Sequence, residues 1–326
     1  MTFKQNIIDA LTIAYPKTLT FENLARALMV DQAHVVQAVN ELQQKNFPIS
    51  AQGNVIHLAY PLLSVPAISK LLDTDFIGKP VQLHARLDST NTYAKANLSD
   101  LKNGDVILAH EQTAGKGRLG RNWTSPAGAS ISMSLVLKPA SPFERLSLLT
   151  QLTAAALIKA LNDWGDVKIK WPNDIILNSR KIAGILIETE FSGSSLEGII
   201  IGIGINTNVD QENIPQELQS KATSLKEGTN REIDPNTLVA SFLTFFEKYY
   251  VDFLNSQRPA PFLSVCREQS ILIGKNYWII DTDRKRKAYI KTIDSTGGLV
   301  VTYLDTNKTE VITSTDLSIR GDDHYV

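Results

Sequence analysis

Glu111-Gln112-Thr113-Ala114-Gly115-Lys116-Gly117-Arg118-Leu119-Gly120-Arg121-Asn122-Trp123 is the stretch from which the rest of the chain can be read. Three glycines free its backbone, three cations project from it, and one large aromatic residue ends it. Gly115, Gly117 and Gly120 spell GxGxxG, but as a dinucleotide fingerprint that pattern needs a strand before it and a helix directly after it. The strand is there, at Val106-Ile107-Leu108-Ala109. The helix is not: Ser125-Pro126-Ala127-Gly128 leads into a second strand-like run over 131–137. No GxxxxGK[ST] occurs, which excludes a P-loop. What remains is a glycine loop between two strands whose Lys116, Arg118 and Arg121 suit an anionic ligand approached closely by backbone. A solvated basic loop is the competing reading.

The flanking segments bear on that choice. Upstream, a strand over 81–87 runs into Asp88-Ser89-Thr90-Asn91, just before a helical stretch over 92–101. Those residues are good helix caps, and they are also small donors and acceptors able to grip a neutral amide-like group. Downstream stands Lys168-Ile169-Lys170-Trp171-Pro172-Asn173-Asp174, then Asn178-Ser179, then Arg180-Lys181-Ile182-Ala183-Gly184. Alternation puts Lys168 and Lys170 on one strand face. With Asn178-Ser179 as a two-residue hairpin loop, Ile176 pairs with Lys181 and Asp174 with Ala183, so Asp174 and Lys181 share a face. That is either a surface ion pair or a cation and carboxylate in one site. In Ile199-Ile200-Ile201-Gly202-Ile203-Gly204-Ile205-Asn206, one strand face is bare at 202 and 204, which predicts a flat ring lying against it.

The totals set limits. At 326 residues and 43% hydrophobic, the chain predicts two or three domains with ample core. A net charge of −1 leaves no global field for nucleic acid or membrane, so such binding needs a local patch. No apolar run approaches the ~20 residues of a membrane span. The first ten residues carry Lys4, Gln5, Asn6 and Asp9 where a signal peptide needs an apolar stretch, so the expected location is cytoplasmic, without a membrane partner. The single Cys266 excludes an intrachain disulfide and a thiolate metal site and reads as structural.

Residues 3–14, 20–28 and 32–45 have apolar positions at helical spacing, followed by two extended pieces around Gly53-Asn54. This is the order of a winged helix-turn-helix, whose third helix would present Gln32, His34, Gln37, Asn40 or Gln44 to base edges. Residues 1–66 hold four cations and four acids, few for phosphate contacts, so a non-DNA role for the same module stays open. A connecting segment with a helical piece over 68–73 follows. Ser141-Pro142-Phe143-Glu144 is a capping box opening a helix to Trp164. A helix over 238–253 comes next. From Ile271 the pattern changes to short strands, indicating a small β-barrel with Arg284-Lys285-Arg286-Lys287 as a solvated hairpin tip.

Taken in order, the glycine loop, Lys170-Trp171-Pro172-Asn173-Asp174, Lys181-Ile182-Ala183-Gly184 and Gly202-Ile203-Gly204-Ile205-Asn206 resemble the bifunctional biotin–protein ligase and biotin operon repressor family, over nearly the whole chain. The resemblance implies three parts. Residues 1–66 would be a winged helix-turn-helix, 67–268 a mixed α/β catalytic domain like the class II aminoacyl-tRNA synthetase core, and 269–326 an SH3-like β-barrel. It implies activation of biotin by ATP with Mg²⁺ to biotinyl-5′-AMP, then transfer to a lysine of the biotin carboxyl carrier protein of acetyl-CoA carboxylase. It also implies an adenylate-dependent homodimer repressing at operator DNA. In that reading Ser89, Thr90, Asn91, Gln112, Lys116, Gly117, Arg118 and Lys181 bind biotin. Lys116, Arg118, Arg121, Trp123, Lys170 and Asn206 bind the nucleotide, and Arg118, Lys181 and Asp174 serve catalysis, with no protein-held metal. Lys116 stands where an arginine is common in the family, which keeps the charge but loses a planar fork. A ligase for a related acid such as lipoate, and a regulator that senses the adenylate without transferring it, are the alternatives.

Overall fold

Ile7, Ile8 and Leu11 recur at helical spacing and are the buried stripe of α1 (Phe3–Ala14). The computed structural model describes residues 2–139, 146–281, 284–313, 317–322 and Tyr325. After β1 (Leu19–Thr20) come α2 (Phe21–Leu28), capped by the Thr20 side chain, and α3 (Gln32–Gln44), capped by Asp31. β2 (Ile49–Gln52) and β3 (Val55–Leu58) turn at Gly53, whose φ of +59° favours glycine, and the small sheet has the order β1-β3-β2. This unit has its own core, which includes Leu24, Val35, Val39 and Leu62.

The next residue, Leu63, belongs to the central core, so the change of core falls a few residues before 66. α4 (Val65–Leu71) is capped by Ser64 with Pro66 in its first turn. It starts earlier than the expected 68, because a proline there opens a helix instead of ending one.

The chain then lays down β4 (Val81–His84), α5 (Thr90–Ala96), β5 (Val106–Ala109), the hairpin β6 (Gln112–Lys116) and β7 (Asn122–Ser125), and β8 (Ser130–Leu137). α6 (Leu146–Ala160), β9 (Lys168–Lys170), β10 (Asp174–Leu177), β11 (Arg180–Ser192), β12 (Ser195–Asn206), α7 (Leu225–Thr229), α8 (Pro235–Ser256) and α9 (Ala260–Glu268) complete the body. Seven strands form one mixed sheet in the order β4-β5-β8-β12-β11-β10-β9, with β4 and β5 parallel and the other pairs antiparallel. Period two sorts β12: Ile199, Ile201, Ile203 and Ile205 enter the large core shared with α6 and α8, whereas Ile200 packs with Ala94 and Leu98 of α5 and its flank.

Several elements differ from expectation at their ends. The strand over 81–87 stops at His84, and the helix over 92–101 runs instead over Thr90–Ala96, with Ser89 capping it through the Thr92 N–H (3.4 Å). Thr90 and Asn91 are thus helical, not caps. The capping box at 141–144 lies outside the described residues. α6 ends at Ala160, and a short 3-10 turn (Asn162–Trp164) carries the chain to Gly165, φ +123°. Cys266 is fully buried, its Sγ 3.2 Å from the Gln151 carbonyl, and burial pushes its thiol up, as fits a structural residue.

The last part is a five-stranded antiparallel sheet, β13 (Asn276–Ile280), β14 (Lys285–Ile293), β15 (Leu299–Tyr303), β16 (Thr309–Ile312) and β17 (Ser318–Arg320), in the order β16-β15-β14-β13-β17. It is tied to the body: Ile169 exchanges backbone hydrogen bonds with Gln269 and Ile271, and the Trp171 indole donates to the Gly297 carbonyl at 3.0 Å. Of the basic run only Arg284, which is exposed, precedes β14. Lys285, Arg286 and Lys287 lie in β14, with Arg286 paired to Asp305 (2.7 Å) and Lys287 to Asp322 (2.9 Å), and both lysines sit against the Trp278 ring. Strand pairing brings acidic turns over these cations, a long-range effect that local composition does not carry.

Candidate active site

One face of the central sheet is stripped of bulk where β8, β12 and β11 lie side by side. Gly202 pairs with Ser134 and with Leu186, and Gly204 pairs with Ser132 and Gly184. A Cβ on Gly202 would come within 2.4 Å of the Asn91 side-chain oxygen, and one on Gly204 within 2.4 Å of the Trp123 ring. The bare face was expected to hold a ligand's ring. Gly202 and Gly204 do line a cavity, and the Asn91 carboxamide from α5 and the Trp123 indole from β7 are seated against them.

At the α5 end the floor is a buried polar chain. Gln112 Oε1 accepts from the Thr90 N–H (2.8 Å), and the Gln112 amide N–H donates to Ser125 Oγ (3.4 Å), which in turn meets Ser132 Oγ (2.9 Å). Ser134 Oγ lies 2.8 Å from Thr90 Oγ1 and 2.5 Å from Asn91 Oδ1, and Asn91 Nδ2 donates to Glu188 (2.7 Å). Ser89, Thr90 and Asn91 are each buried. Ser132, Ser134, Ser125 and Glu188 escaped the reading of the sequence. The alternating Ser130-x-Ser132-x-Ser134 in a strand otherwise apolar on its other face was the available signal.

The glycine stretch is not a free loop. It is the two-stranded hairpin of β6 and β7 closed by a 3-10 turn (Arg118–Gly120), with Leu119 and Gly120 both at positive φ. Gly115 pairs with Trp123, and its missing Cβ would meet the Trp123 carbonyl at 2.4 Å, so glycine is what lets the strands close. The hairpin aims its residues at two cavities. The narrower, about 50 Å³, is lined by all eight residues expected at the acid: Ser89, Thr90, Asn91, Gln112, Lys116, Gly117, Arg118 and Lys181. The adjoining cleft, about 380 Å³, is lined by Arg118, Arg121, Trp123, Lys170, Asn206, Asp174 and Lys181. Of the six residues expected at the nucleotide, Lys116 lines the first space instead of the second.

Lys181 stands on the border of the two and holds Asp174 at 2.5 Å. The register differs from the expected one. A bulge between Ile175 and Ile176 leaves Ile176 opposite Lys181 but moves Asp174 opposite Gly184, and the Asn178-Ser179 turn has both residues at positive φ. Lys181 also exchanges backbone hydrogen bonds with Lys221 and Thr223, so the bulge is fixed from outside the hairpin. Arg118 donates to Asn173 Oδ1 at 3.2 Å, and Arg121 reaches Ser318 of β17 at 3.4 Å. Asn206 donates to the Thr223 carbonyl (3.0 Å), and among the described residues the buried Trp123 Nε1 has no hydrogen-bond partner.

Tyr325 and Arg320 from the C-terminal part complete the cleft. The Tyr325 hydroxyl donates to Asp174, its carbonyl accepts from Lys170 Nζ at 2.6 Å, and the Lys170 ammonium lies 3.5 Å over its ring. Burial, and secondarily the Arg320 charge, pull Lys170 down to about 7. Burial pushes the Asp174 carboxyl up, but Lys181 together with the Tyr325 hydroxyl outweighs it and holds it below the usual carboxylate range. On α3, Gln32, His34 and Gln37 are exposed, and Gln37 is bonded to Glu41 (3.0 Å), which is itself paired with Lys4.

A pocket with amides and hydroxyls at one end and cations at the other defines a protein that brings an elongated acid up to an anionic co-substrate. Comparison narrows this. The model of the Biotin/lipoate A/B protein ligase family matches residues 83–206. The chain is 32% identical over 263 residues to the bifunctional ligase/repressor BirA of Bacillus subtilis (strain 168), covering 78% of this chain and 80% of that one. It is 29% identical to the Escherichia coli (strain K12) BirA over 86% and 87% of the two chains. The structure of the biotin protein ligase from Aquifex aeolicus in complex with biotin and ATP superposes with a TM-score of 0.65 at 25% identity, over 74% of this chain and 99% of that chain. The chain belongs to the biotin/lipoate A/B protein ligase family.

Proposed function

We infer that this chain is a biotin–protein ligase: it joins biotin to ATP as biotinyl-5′-AMP, releasing pyrophosphate, and passes the biotinyl group to a lysine of the biotin carboxyl carrier protein of acetyl-CoA carboxylase, releasing AMP. The observation that carries this reading is the convergence of all eight expected acid-binding residues on one cavity that opens, at Lys181, into a cation-lined cleft. The names of its relatives, bifunctional ligase/repressor and biotin protein ligase, agree.

In the first step a biotin carboxylate oxygen attacks the α-phosphorus, an encounter of two anions. Lys181 and Arg118 stand where the two cavities meet and offset that repulsion, while Lys170 and Arg121 serve the far side of the cleft. Mg²⁺ on the triphosphate would supply further neutralising charge. Among the described residues no group of three or more His, Cys, Asp or Glu gathers to hold a metal. The acid's cavity, about 50 Å³, is far below the roughly 300–1,000 Å³ of a small-molecule site, so the hairpin and the Trp123 indole must shift to admit a ligand and then close over a water-sensitive anhydride. The Trp123 Nε1–H, without a partner among the described residues, is a donor available to it.

In the second step the neutral lysine amine attacks the acyl carbon and loses a proton. Asp174, already engaged by Lys181 and Tyr325, orients Lys181 and the incoming amine and is a weak base. We assign residues 1–66 as a winged helix-turn-helix and 269–326 as an SH3-like barrel around the catalytic part, 67–268. An adenylate-bound homodimer would set two copies of α3 on operator DNA, with Gln32, His34 and Gln37 at base edges; the three helices with a paired β2–β3 wing support this. The test is transfer: incubation with ATP, biotin and apo carrier protein should add one biotinyl mass to a single lysine. An unmodified carrier would reject the ligase reading.

A further inference from the structure

Behind the pocket floor lies an ionised group that lines neither cavity. Glu188, on the pocket face of β11, accepts from Asn91 Nδ2 at 2.7 Å and is held by Lys95 at 2.7 Å; Lys95 also holds Glu190 at 2.9 Å. Burial pushes the Glu188 carboxyl up, but Lys95 and Asn91 outweigh this and keep it below the usual range, so it is charged at neutral pH. An Asn carboxamide can be turned either way, and here the carboxylate decides. It requires the N–H₂ end, which leaves Asn91 Oδ1 facing Ser134 Oγ at 2.5 Å. Two hydroxyl protons, from Ser134 and Thr90, then serve three oxygen–oxygen contacts: Ser134 to Asn91, Ser134 to Thr90 (2.8 Å), and Thr90 to Gln112 Oε1 (3.2 Å). With Ser134 donating to Asn91 Oδ1 and Thr90 to Gln112 Oε1, both hydroxyl protons are spent inside the floor, and the Thr90 oxygen, which lines the cavity, keeps its acceptor lone pairs.

We propose that Glu188, braced by Lys95, is a positioning residue that fixes the Asn91 carboxamide on bare Gly202 and so makes the pocket floor select an acid whose ring carries N–H donors, a cyclic urea, over one with an apolar ring. This rests on the ligase reading above and adds its specificity. A dithiolane ring, as in lipoate, carries no N–H and would leave those acceptors buried and unpaired, which is how a polar site rejects an analogue. Gly202 belongs to the same device, since any Cβ there would meet the Asn91 carboxamide at 2.4 Å and displace it.

The experiment is biotin-dependent ATP–pyrophosphate exchange with the full chain and its Glu188→Leu and Glu188→Gln variants, measuring kcat and KM for biotin and for ATP, with lipoate as the competing acid. In Glu188→Leu an Asn91 N–H loses a charged partner, and the KM for biotin should rise roughly tenfold to a hundredfold while the KM for ATP stays put and the preference over lipoate narrows. Glu188→Gln keeps an acceptor and should recover most of the loss. Should the leucine variant not fold, Glu188→Ala serves with the same expectation. A biotin KM unchanged in Glu188→Leu, a parallel rise in both KM values, or no rescue by glutamine would overturn the proposal. Absence of exchange in the unsubstituted chain would instead strike the ligase reading.

Discussion

Gly204→Ala gives the most exacting probe of how the floor is built. An alanine Cβ would lie 2.4, 2.6 and 2.8 Å from Cε2, Nε1 and Cζ2 of Trp123, against an ordinary contact of 3.4–4 Å, so the indole must retreat by about 1 Å. It cannot retreat alone. Trp123 pairs with Gly115 across the hairpin, and its ring lies 5.5 Å from Lys181 Nζ. Overpacking of this kind costs about 1–3 kcal/mol, and at about 2–4 °C per kcal/mol for a body of this size Tm should fall by several degrees. Trp123→Leu removes the atoms the methyl would strike, so the double variant should be less destabilised than the sum of the singles, with a coupling of about 1 kcal/mol or more. Denaturant titration of the four proteins completes the cycle. Additivity within about 0.5 kcal/mol would refute the claim that Gly204 exists to seat the indole.

Further expectations follow from the same geometry. Lys181→Ala should slow adenylate formation by roughly 10²–10³-fold with the circular dichroism spectrum unchanged; near-normal exchange would remove it from the chemistry. Because Lys170 sits at about 7, its charge is present below pH 7 and lost above it. The KM for ATP should therefore climb by up to about tenfold per pH unit from 7.5 to 9, a slope that Lys170→Met should flatten. The same depressed value makes the folded chain bind fewer protons than the unfolded one between about 7 and 10.5, so this group's contribution to stability is full above 10.5 and lost as pH falls through 7. Lys170→Met should remove that trend from denaturation curves. With four cations in residues 1–66, DNA binding should show a shallow salt dependence, and adenylate-bound protein should protect a palindromic site that the ligand-free protein does not. No footprint at any ligand level would defeat the repressor assignment.

Much of this was legible because it is local. Periodicity located α1, α2 and α3 to within a residue or two, and the spacing of Gly202 and Gly204 marked the bare face of β12. The Asp174–Lys181 pair was foreseen, yet by a register that is wrong by one residue: the bulge at Ile175/Ile176 is held by backbone bonds from Lys221 and Thr223, forty residues away, which no hairpin rule contains. The packing of the Trp123 ring on Gly204 was not foreseen for the same reason. Whether a ligand or Trp123 covers a glycine depends on how the hairpin folds back, which is tertiary. Tyr325 against Lys170 and Asp174, and Asp305 and Asp322 over the basic run, are likewise contacts between residues distant in the chain. Thr90 and Asn91 line the narrower cavity, but they are not caps, since the Ser89 hydroxyl takes the cap and draws them into the first turn of α5.

The central claim is that the chain activates biotin, and ATP–pyrophosphate exchange on the purified protein, with biotin, lipoate or no acid added, tests it most directly. The account predicts exchange that depends on biotin and is weak or absent with lipoate. Exchange driven by lipoate, or none with any acid in a protein shown to be folded, would contradict it; the latter would leave a protein that binds the adenylate without making it.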